Sequence, residues 1–316
     1  MSRKISPGRG LRLLVAALAA LYLILSVAGG AVLMEGALHV PRRPVAQRSL
    51  LEAMVSPWAS RVEDATVAAS DGAALKGWFV QPRAWNREAV LLLHGVGDNR
   101  QGVMHYAPML LRSGYAVLLP DSRAHGDSGG EHATYGLLES EDVHRWLHWV
   151  KDRESGAPGC MYLFGESMGA GIALQTADAP EVCAVVAEAP FASFREIGYE
   201  RIAQGLGASV EFSHVAAFPM VNAAFVYARL RYGLRFDQAS PERKLAASHV
   251  PALLIAGLAD RNIPPRHAER ILKQVDARCQ IWLVPGAGHT TAASTAPVEF
   301  ERRVLAWFAA HPRLSR

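Results

Sequence analysis

The chain has 316 residues, half of them hydrophobic and a fifth charged, which is enough to bury a large core and too apolar for a disordered segment. Three cysteines rule out a disulfide scaffold and leave at least one thiol unpaired, and Cys160, Cys183 and Cys279 lack the close Cys/His spacing of a structural zinc site. The net charge of +4 comes from Arg3, Lys4, Arg9 and Arg12; the rest of the chain carries 29 basic and 29 acidic residues, without the basic excess that a nucleic-acid partner requires.

Residues 1–12 read as a basic tail. The stretch Leu13–Met34 that follows holds 22 residues and no charged side chain, and a helix of that length spans roughly 33 Å, about one bilayer core. The expectation is an uncleaved transmembrane helix or signal anchor. The alternative is a cleaved signal peptide, with Ser26-Val27-Ala28 as the small-x-small site before Gly29. Either way the basic tail stays cytoplasmic by the positive-inside rule, and the domain lies on the far side, against the weak opposition of Arg42 and Arg43. The protein is then a single-pass membrane protein, or periplasmic or secreted if cleaved.

Residues 35–61 read as a linker, since Pro41–Trp58 mixes Pro, Arg and polar residues without periodicity; that stretch could also be an arm lying on the domain. The globular domain is placed at 62–316. Val62–Ser70 and Leu75–Gln81 read as strands around an Asp71-Gly72 hairpin signal. Short apolar runs at Ala89–Leu93, Ala116–Leu119, Met161–Phe164, Val182–Ala187, Ala252–Ala256 and Gln280–Val284 then alternate with helical spacing at Met104–Ser113, Leu137–Arg153, Met168–Asp178, His267–Val275 and Pro297–His311. That alternation predicts an α/β fold: a mostly parallel, twisted sheet of about eight strands covered by helices. About 60 residues separate Ala187 from Pro251, far more than a usual connection. This interval is expected to fold as a helical cap insertion, about 192–248.

The pattern Gly165-Glu166-Ser167-Met168-Gly169 lies where a strand hands over to a helix, the setting that gives G-x-S-x-G meaning. A serine on such a turn needs small neighbours so that strand and helix can approach, and Gly165 and Gly169 supply them. The turn leaves the Met168 N–H at a helix N-terminus, where it can stabilise an oxyanion. The second donor is expected from the glycine turn after Leu91-Leu92-Leu93, with the Val96 N–H first and that of Gly97 as the alternative.

The segments LLLHGVGDNR (91–100), LLPDSRAHGDSGG (118–130), GESMGAG (165–171), AGLADRNIPP (256–265) and PGAGHTT (285–291) together resemble the α/β-hydrolase superfamily of the serine-hydrolase type. The nearest resemblance is to N-terminally membrane-anchored abhydrolase-domain and serine aminopeptidase-like proteins. It implies the order nucleophile, acid, histidine. Asp260 and His289 each follow a buried strand, at the sheet edge where open α/β folds place their sites. Ser167, Asp260 and His289 are thus the expected catalytic set, with Glu188, just past the preceding strand, as the other possible acid. One departure stands out: where relatives usually carry glycine, this chain has Ala124.

His144 and His148 stand at i, i+4, but without H-E-x-x-H or a third ligand they imply no metal. Asp121, Arg123, His125 and Asp127 read as a polar network bracing a loop. Residues 165–171 lack the Lys-Ser/Thr of a phosphate loop, and no cofactor is implied. The expected activity is hydrolysis of a carboxylic ester or thioester through an acyl-enzyme on Ser167. Peptide or amide cleavage on the same residues is the alternative, and a non-catalytic anchored binding module is the other. The expected partners are a small acyl or peptide-like substrate and, through the N-terminal helix, a lipid bilayer; no obligate protein partner is implied.

Overall fold

A computed structural model describes residues 7–153 and 159–312. Arg3 and Lys4 of the basic tail lie outside the described residues. The chain divides into two compact units, one made of the N-terminal helix to Ala37 with Arg195–Asp237, the other of Leu38–Phe194 with the chain from Gln238 onward.

In the first unit α1 (Pro7–Leu38) has 32 residues, about 48 Å at 1.5 Å per residue. It runs past both ends of the uncharged span and takes in Arg9, Arg12 and Glu35, because charged side chains at the ends of a helix do not interrupt its backbone ladder. By length and composition it can cross a membrane. The insertion supplies α6 (Phe194–Leu206), α7 (Val210–Ala216) and α8 (Phe218–Tyr232). Ser209 caps α7 by accepting the Phe212 N–H at 3.2 Å, and Gly233, at φ 71°, ends α8 in the left-handed conformation.

The second unit is built on an eight-stranded sheet: β1 (Ala59–Ala68), β2 (Ala74–Pro82), β3 (Ala89–Leu93), β4 (Ala116–Pro120), β5 (Met161–Glu166), β6 (Val182–Glu188), β7 (Ala252–Gly257) and β8 (Gln280–Val284). Its order is β1-β2-β4-β3-β5-β6-β7-β8. β2 pairs antiparallel with β1 and β4, and β3 to β8 run parallel. Strands β3, β4, β5 and β7 are buried throughout, as a sheet covered on both faces demands. Alternate residues feed two cores. Leu91, Leu163, Val185 and Leu254 meet α4 (Glu139–Arg153), α5 (Met168–Gln175), α9 (Pro241–Ala247) and α10 (Arg266–Leu272) on one face. Leu92, Phe164, Val186 and Ile255 meet α2 (Ser49–Val55), α3 (Ala107–Arg112) and α12 (Pro297–Ala310) on the other. The short α11 (Ala292–Thr295) follows the loop after β8.

The structure differs from the sequence expectations in three places. The stretch read as a linker contains α2, whose Leu51 and Val55 are fully buried in the second core. The expected helix Met104–Ser113 splits into a 3-10 turn (Met104–Tyr106) and α3. Strands β5 and β6 continue to Glu166 and Glu188, so each carries a carboxylate at its end. Cys160 and Cys183 form a disulfide between the starts of β5 and β6, a pairing the sequence left open, and Cys279 is the buried unpaired thiol that the odd count requires.

Candidate active site

All the residues singled out for catalysis belong to the second unit. Ser167 joins β5 to α5 at φ 53° and ψ −115°, a region a non-glycine residue enters only under strain of order 1–3 kcal/mol. The surrounding backbone holds it there. A Cβ on Gly165 would lie 2.2 Å from the Gly169 carbonyl oxygen, and one on Gly169 would lie 2.0 Å from that of Leu93. Strand, turn and helix therefore meet main chain to main chain, which is why glycine occupies both flanking positions. The Ser167 N–H donates to the Glu188 carbonyl at 2.9 Å. The first backbone bond across the turn is Gly171 N–H to Ser167 O at 3.1 Å, so Met168 N–H precedes the helical ladder.

Two further strand ends complete the group. Past β7, the buried Asp260 uses Oδ1 to accept the N–H groups of Asn262 at 2.8 Å and Ile263 at 2.9 Å, which leaves Oδ2 for another donor. Past β8, Ala259 N–H donates to Ala287 O at 2.9 Å, and a Cβ on Gly257 would lie 2.3 Å from the same oxygen, so the two loops are locked together. This brings His289 into line. Its Nδ1 lies 2.8 Å from Asp260 Oδ2 and its Nε2 lies 2.9 Å from Ser167 Oγ. The imidazole is partly exposed while the carboxylate is buried, so solvent reaches the serine side of the chain and not the aspartate side.

Glu188, the other possible acid, points elsewhere. Its Oε1 accepts the Ala292 N–H at 2.9 Å and its Oε2 accepts the Tyr106 hydroxyl at 3.0 Å. Tyr106 Oη also lies 3.4 Å from Glu166 Oε2, so a buried tyrosine stands between two buried carboxyl groups behind Ser167. Burial raises the pKa of both: that of Glu188 is raised, and that of Glu166 is pushed up to about 8, with Glu188 adding to the effect. The Tyr106 hydroxyl is raised well above its usual value by burial and by the same two acids. This cluster was missed in the sequence reading. The only signal for it was an acidic residue inside one buried strand end and another inside its neighbour.

On the far side of the serine, the turn after β3 carries Val96, with Asp98 N–H donating to Gly95 O at 3.3 Å. Buried His94 braces this turn: Nε2 accepts the Ser122 N–H at 2.9 Å, so Nδ1 carries the proton and donates to Gly95 O at 2.8 Å. Burial lowers its pKa to about 4, which keeps it neutral and in that tautomer. A Cβ on Gly95 would sit 3.5 Å from the Ser167 Cβ, so this turn reaches the serine.

The charged loop after β4 is a network. Asp121 accepts the N–H groups of Arg100 and Asp127, both at 2.8 Å, and Arg123 pairs with Asp142 and with Asp71 at 2.9 Å, tying the β1–β2 turn to α4. Ala124 holds φ 59°, the left-handed conformation that a glycine would take without strain. His148 is exposed, 4.0 Å from Glu181.

A central parallel sheet with a strained serine at a strand-to-helix turn, and an acid and a histidine on later strand ends, defines a protein of the α/β-hydrolase class. Residues 90–303 match the model of the alpha/beta hydrolase family, and the chain belongs to that family. The chain is 29% identical over 223 residues to the uncharacterized protein YqkD of Bacillus subtilis, covering 69% of this chain and 70% of that one. It is 27% identical over 246 residues to the uncharacterized protein YfhR of Escherichia coli, covering 75% and 76%. Among solved structures, the Pyrococcus furiosus esterase Pf2001 superposes with a TM-score of 0.67 at 22% identity, over 87% of this chain and 98% of that one. A serine hydrolase homologue from Coxiella burnetii superposes at 0.54 and 18% identity, over 77% and 96%. These likenesses extend to the fold.

Proposed function

We propose that the chain is a membrane-anchored serine hydrolase that cleaves a carboxylic ester or thioester. The observation that carries this reading is the continuous line from Asp260 Oδ2 through His289 to Ser167 Oγ, at 2.8 and 2.9 Å, ending on a serine held in strained geometry at a helix N-terminus. His289 Nε2 takes the Ser167 proton as Oγ attacks the acyl carbon, and Asp260 holds the Nδ1–H tautomer and offsets the imidazolium charge. The N–H groups of Met168 and Val96 are the donors to the tetrahedral oxyanion. His289 then returns the proton to the departing alkoxide or thiolate, and water releases the acyl group by the reverse sequence of transfers. An ester is the chosen bond because its leaving group departs more readily than an amine, and Pf2001 is an esterase on the same fold.

The anchor is α1, with the hydrolase domain outside the cytoplasm. The disulfide between Cys160 and Cys183 supports this side of the membrane, since such bonds persist in oxidising compartments and are rare in the cytosol. The activity is tested with a fluorophosphonate probe and p-nitrophenyl esters of graded chain length, on wild type and Ser167→Ala. Labelling of the wild type alone, with ester turnover, supports the reading; equal hydrolysis by the folded mutant ends it. Protease treatment of spheroplasts tests the topology: an exported domain is digested and a cytoplasmic one is protected.

A further inference from the structure

The first unit packs the apolar N-terminal helix against the inserted helix α8. The two run side by side in the same direction. The Tyr22 hydroxyl donates to the Ala216 carbonyl just before α8; Gly29 and Gly30 lie against Met220 and Ala224; and Glu35 Oε1 accepts the hydroxyls of Tyr227 and Tyr232, each at 2.6 Å. The approach is closest at Gly30, where a Cβ would lie 2.5 Å from the Met220 carbonyl oxygen and 2.8 Å from the Ala224 nitrogen. Backbone-to-backbone packing through small residues is how helices associate in lipid, where no hydrophobic effect drives them together.

The outer surface of this pair, continued by α7 just before α8, carries exposed apolar side chains. Leu230 is 81% exposed, Val215 79%, and Phe212, Phe218 and Val226 more than half exposed. A groove lined by Val27, Ala223, Val226 and Leu230 joins the α8 surface to that of α1. The ends of α8 differ in kind. Phe218 and Met220 open it; Arg229 and Arg231 close it, beside the tyrosines that Glu35 holds. Apolar residues passing into a belt of tyrosine and arginine is the pattern of a helix that enters a bilayer from its surface. The 15 residues of α8 span about 22 Å, close to one leaflet with its headgroups. Polar groups on the inserted helices are engaged: Asn222 accepts from Arg195 at 3.1 Å and donates to Phe218 O at 2.8 Å, and His214 lies 3.1 Å from Glu196.

We infer that α8 is seated in the membrane beside α1, so that the bilayer is the partner of this apolar surface. Val215, Phe218, Val226 and Leu230 face acyl chains, while Arg229, Arg231, Tyr227 and Tyr232 lie at the headgroups of the leaflet nearest Glu35. The inference rests on the reading of α1 as an anchor and adds a second, shorter membrane element contributed by the insertion.

Lipid-quenching fluorescence on the full-length chain tests it. Single cysteines at Leu25 (α1), Val226 and Leu230 (α8) and Val298, which is 83% exposed on α12, are labelled with a bimane probe. The proteins are reconstituted in phosphatidylcholine/phosphatidylglycerol vesicles containing doxyl-labelled lipid. Severalfold stronger quenching at Leu25, Val226 and Leu230 than at Val298 is the expected result. Quenching at Leu25 but not at Val226 or Leu230 overturns the inference and leaves the anchor standing. Quenching at none of them overturns both. Gly30→Leu gives the second arm: it keeps the span apolar but removes the seat for α8. Leu25 should stay quenched while Val226 and Leu230 lose at least half of their quenching; unchanged quenching at all three would mean that α8 does not depend on α1 for its place.

Discussion

Two buried carboxylates, Asp260 and Glu188, sit at the ends of neighbouring strands, β7 and β6, and only one of them serves the histidine. Asp260 sits in a loop that spends one oxygen on two backbone N–H groups and leaves the other free for His289. Glu188 has both oxygens engaged, by Ala292 and by a tyrosine hydroxyl, and shares its surroundings with Glu166. Its burial favours the proton. In the sequence both acids follow buried strands, with Asp260 the expected acid and Glu188 the other possible one. What separates them is which oxygens remain free: Asp260 keeps Oδ2 for His289, whereas both oxygens of Glu188 are taken.

The largest effect should come from removing what Asp260 ultimately serves. Ser167→Ala should lower ester turnover by roughly 10⁴ to 10⁶-fold with the thermal midpoint little changed, leaving only binding and oxyanion stabilisation. Asp260→Asn should follow at roughly 10⁴-fold, because asparagine fixes the wrong histidine tautomer. Glu188→Gln should stay within about tenfold of wild type. The reverse order for the two acids, measured as kcat/KM on one ester, would transfer the catalytic role to β6.

The buried acids behind Ser167 also set how stability responds to pH. Glu166 and Glu188 bind it more tightly when folded than when unfolded, so their stabilising contribution is complete below the ordinary value of 4.5. It is lost as pH rises toward about 8, where Glu166 ionises in the folded state. Thermal unfolding should therefore show a midpoint that falls between pH 5 and pH 8, and Glu166→Gln should flatten that fall. A midpoint rising across this window would sink the inference that burial raises the pKa of the two acids behind Ser167.

Two smaller effects lie away from the acids. Cys160 and Cys183 are 23 residues apart in sequence, and by loop-closure entropy the bond between them contributes about 3 kcal/mol. Cys160→Ser with Cys183→Ser should lower stability to denaturant by that order while sparing turnover per folded molecule. Ala124→Gly should raise stability by about 0.5 to 1 kcal/mol, since it relieves a left-handed alanine at φ 59°. A loss of stability on that change would mean that the Ala124 methyl packs more favourably than its backbone is strained.

Much of the sheet was legible because its buried strands are short apolar runs that need no partner to be recognised. The serine turn was legible because its glycines are local. By contrast, α2 escaped because seven residues with two buried positions, Leu51 and Val55, lie in a stretch of Pro, Arg and polar residues whose periodicity is too short to register. The Tyr106 cluster escaped because its members come from 60 and 82 residues apart and meet only through the strand order. The pairing of α1 with α8 joins positions about 190 residues apart, and nothing in either helix alone points to the other. Asp260 was already the expected acid, from its place after a buried strand and the order that the resemblance implies; what the sequence does not carry is the loop geometry that leaves its Oδ2 free for His289.

The Ser167 N–H bond to the Glu188 carbonyl has a consequence for how such a site can be probed. It links the Ser167 main chain to the next strand through a carbonyl oxygen that every residue at position 188 possesses. A substitution scan of all nineteen alternatives at position 188 would therefore leave this tether in place, and would credit the residue only with what its side chain does. The part of Glu188 that most directly shapes the reactive turn is invisible to conventional genetics; an amide-to-ester exchange at position 167, introduced by semisynthesis, would reach it.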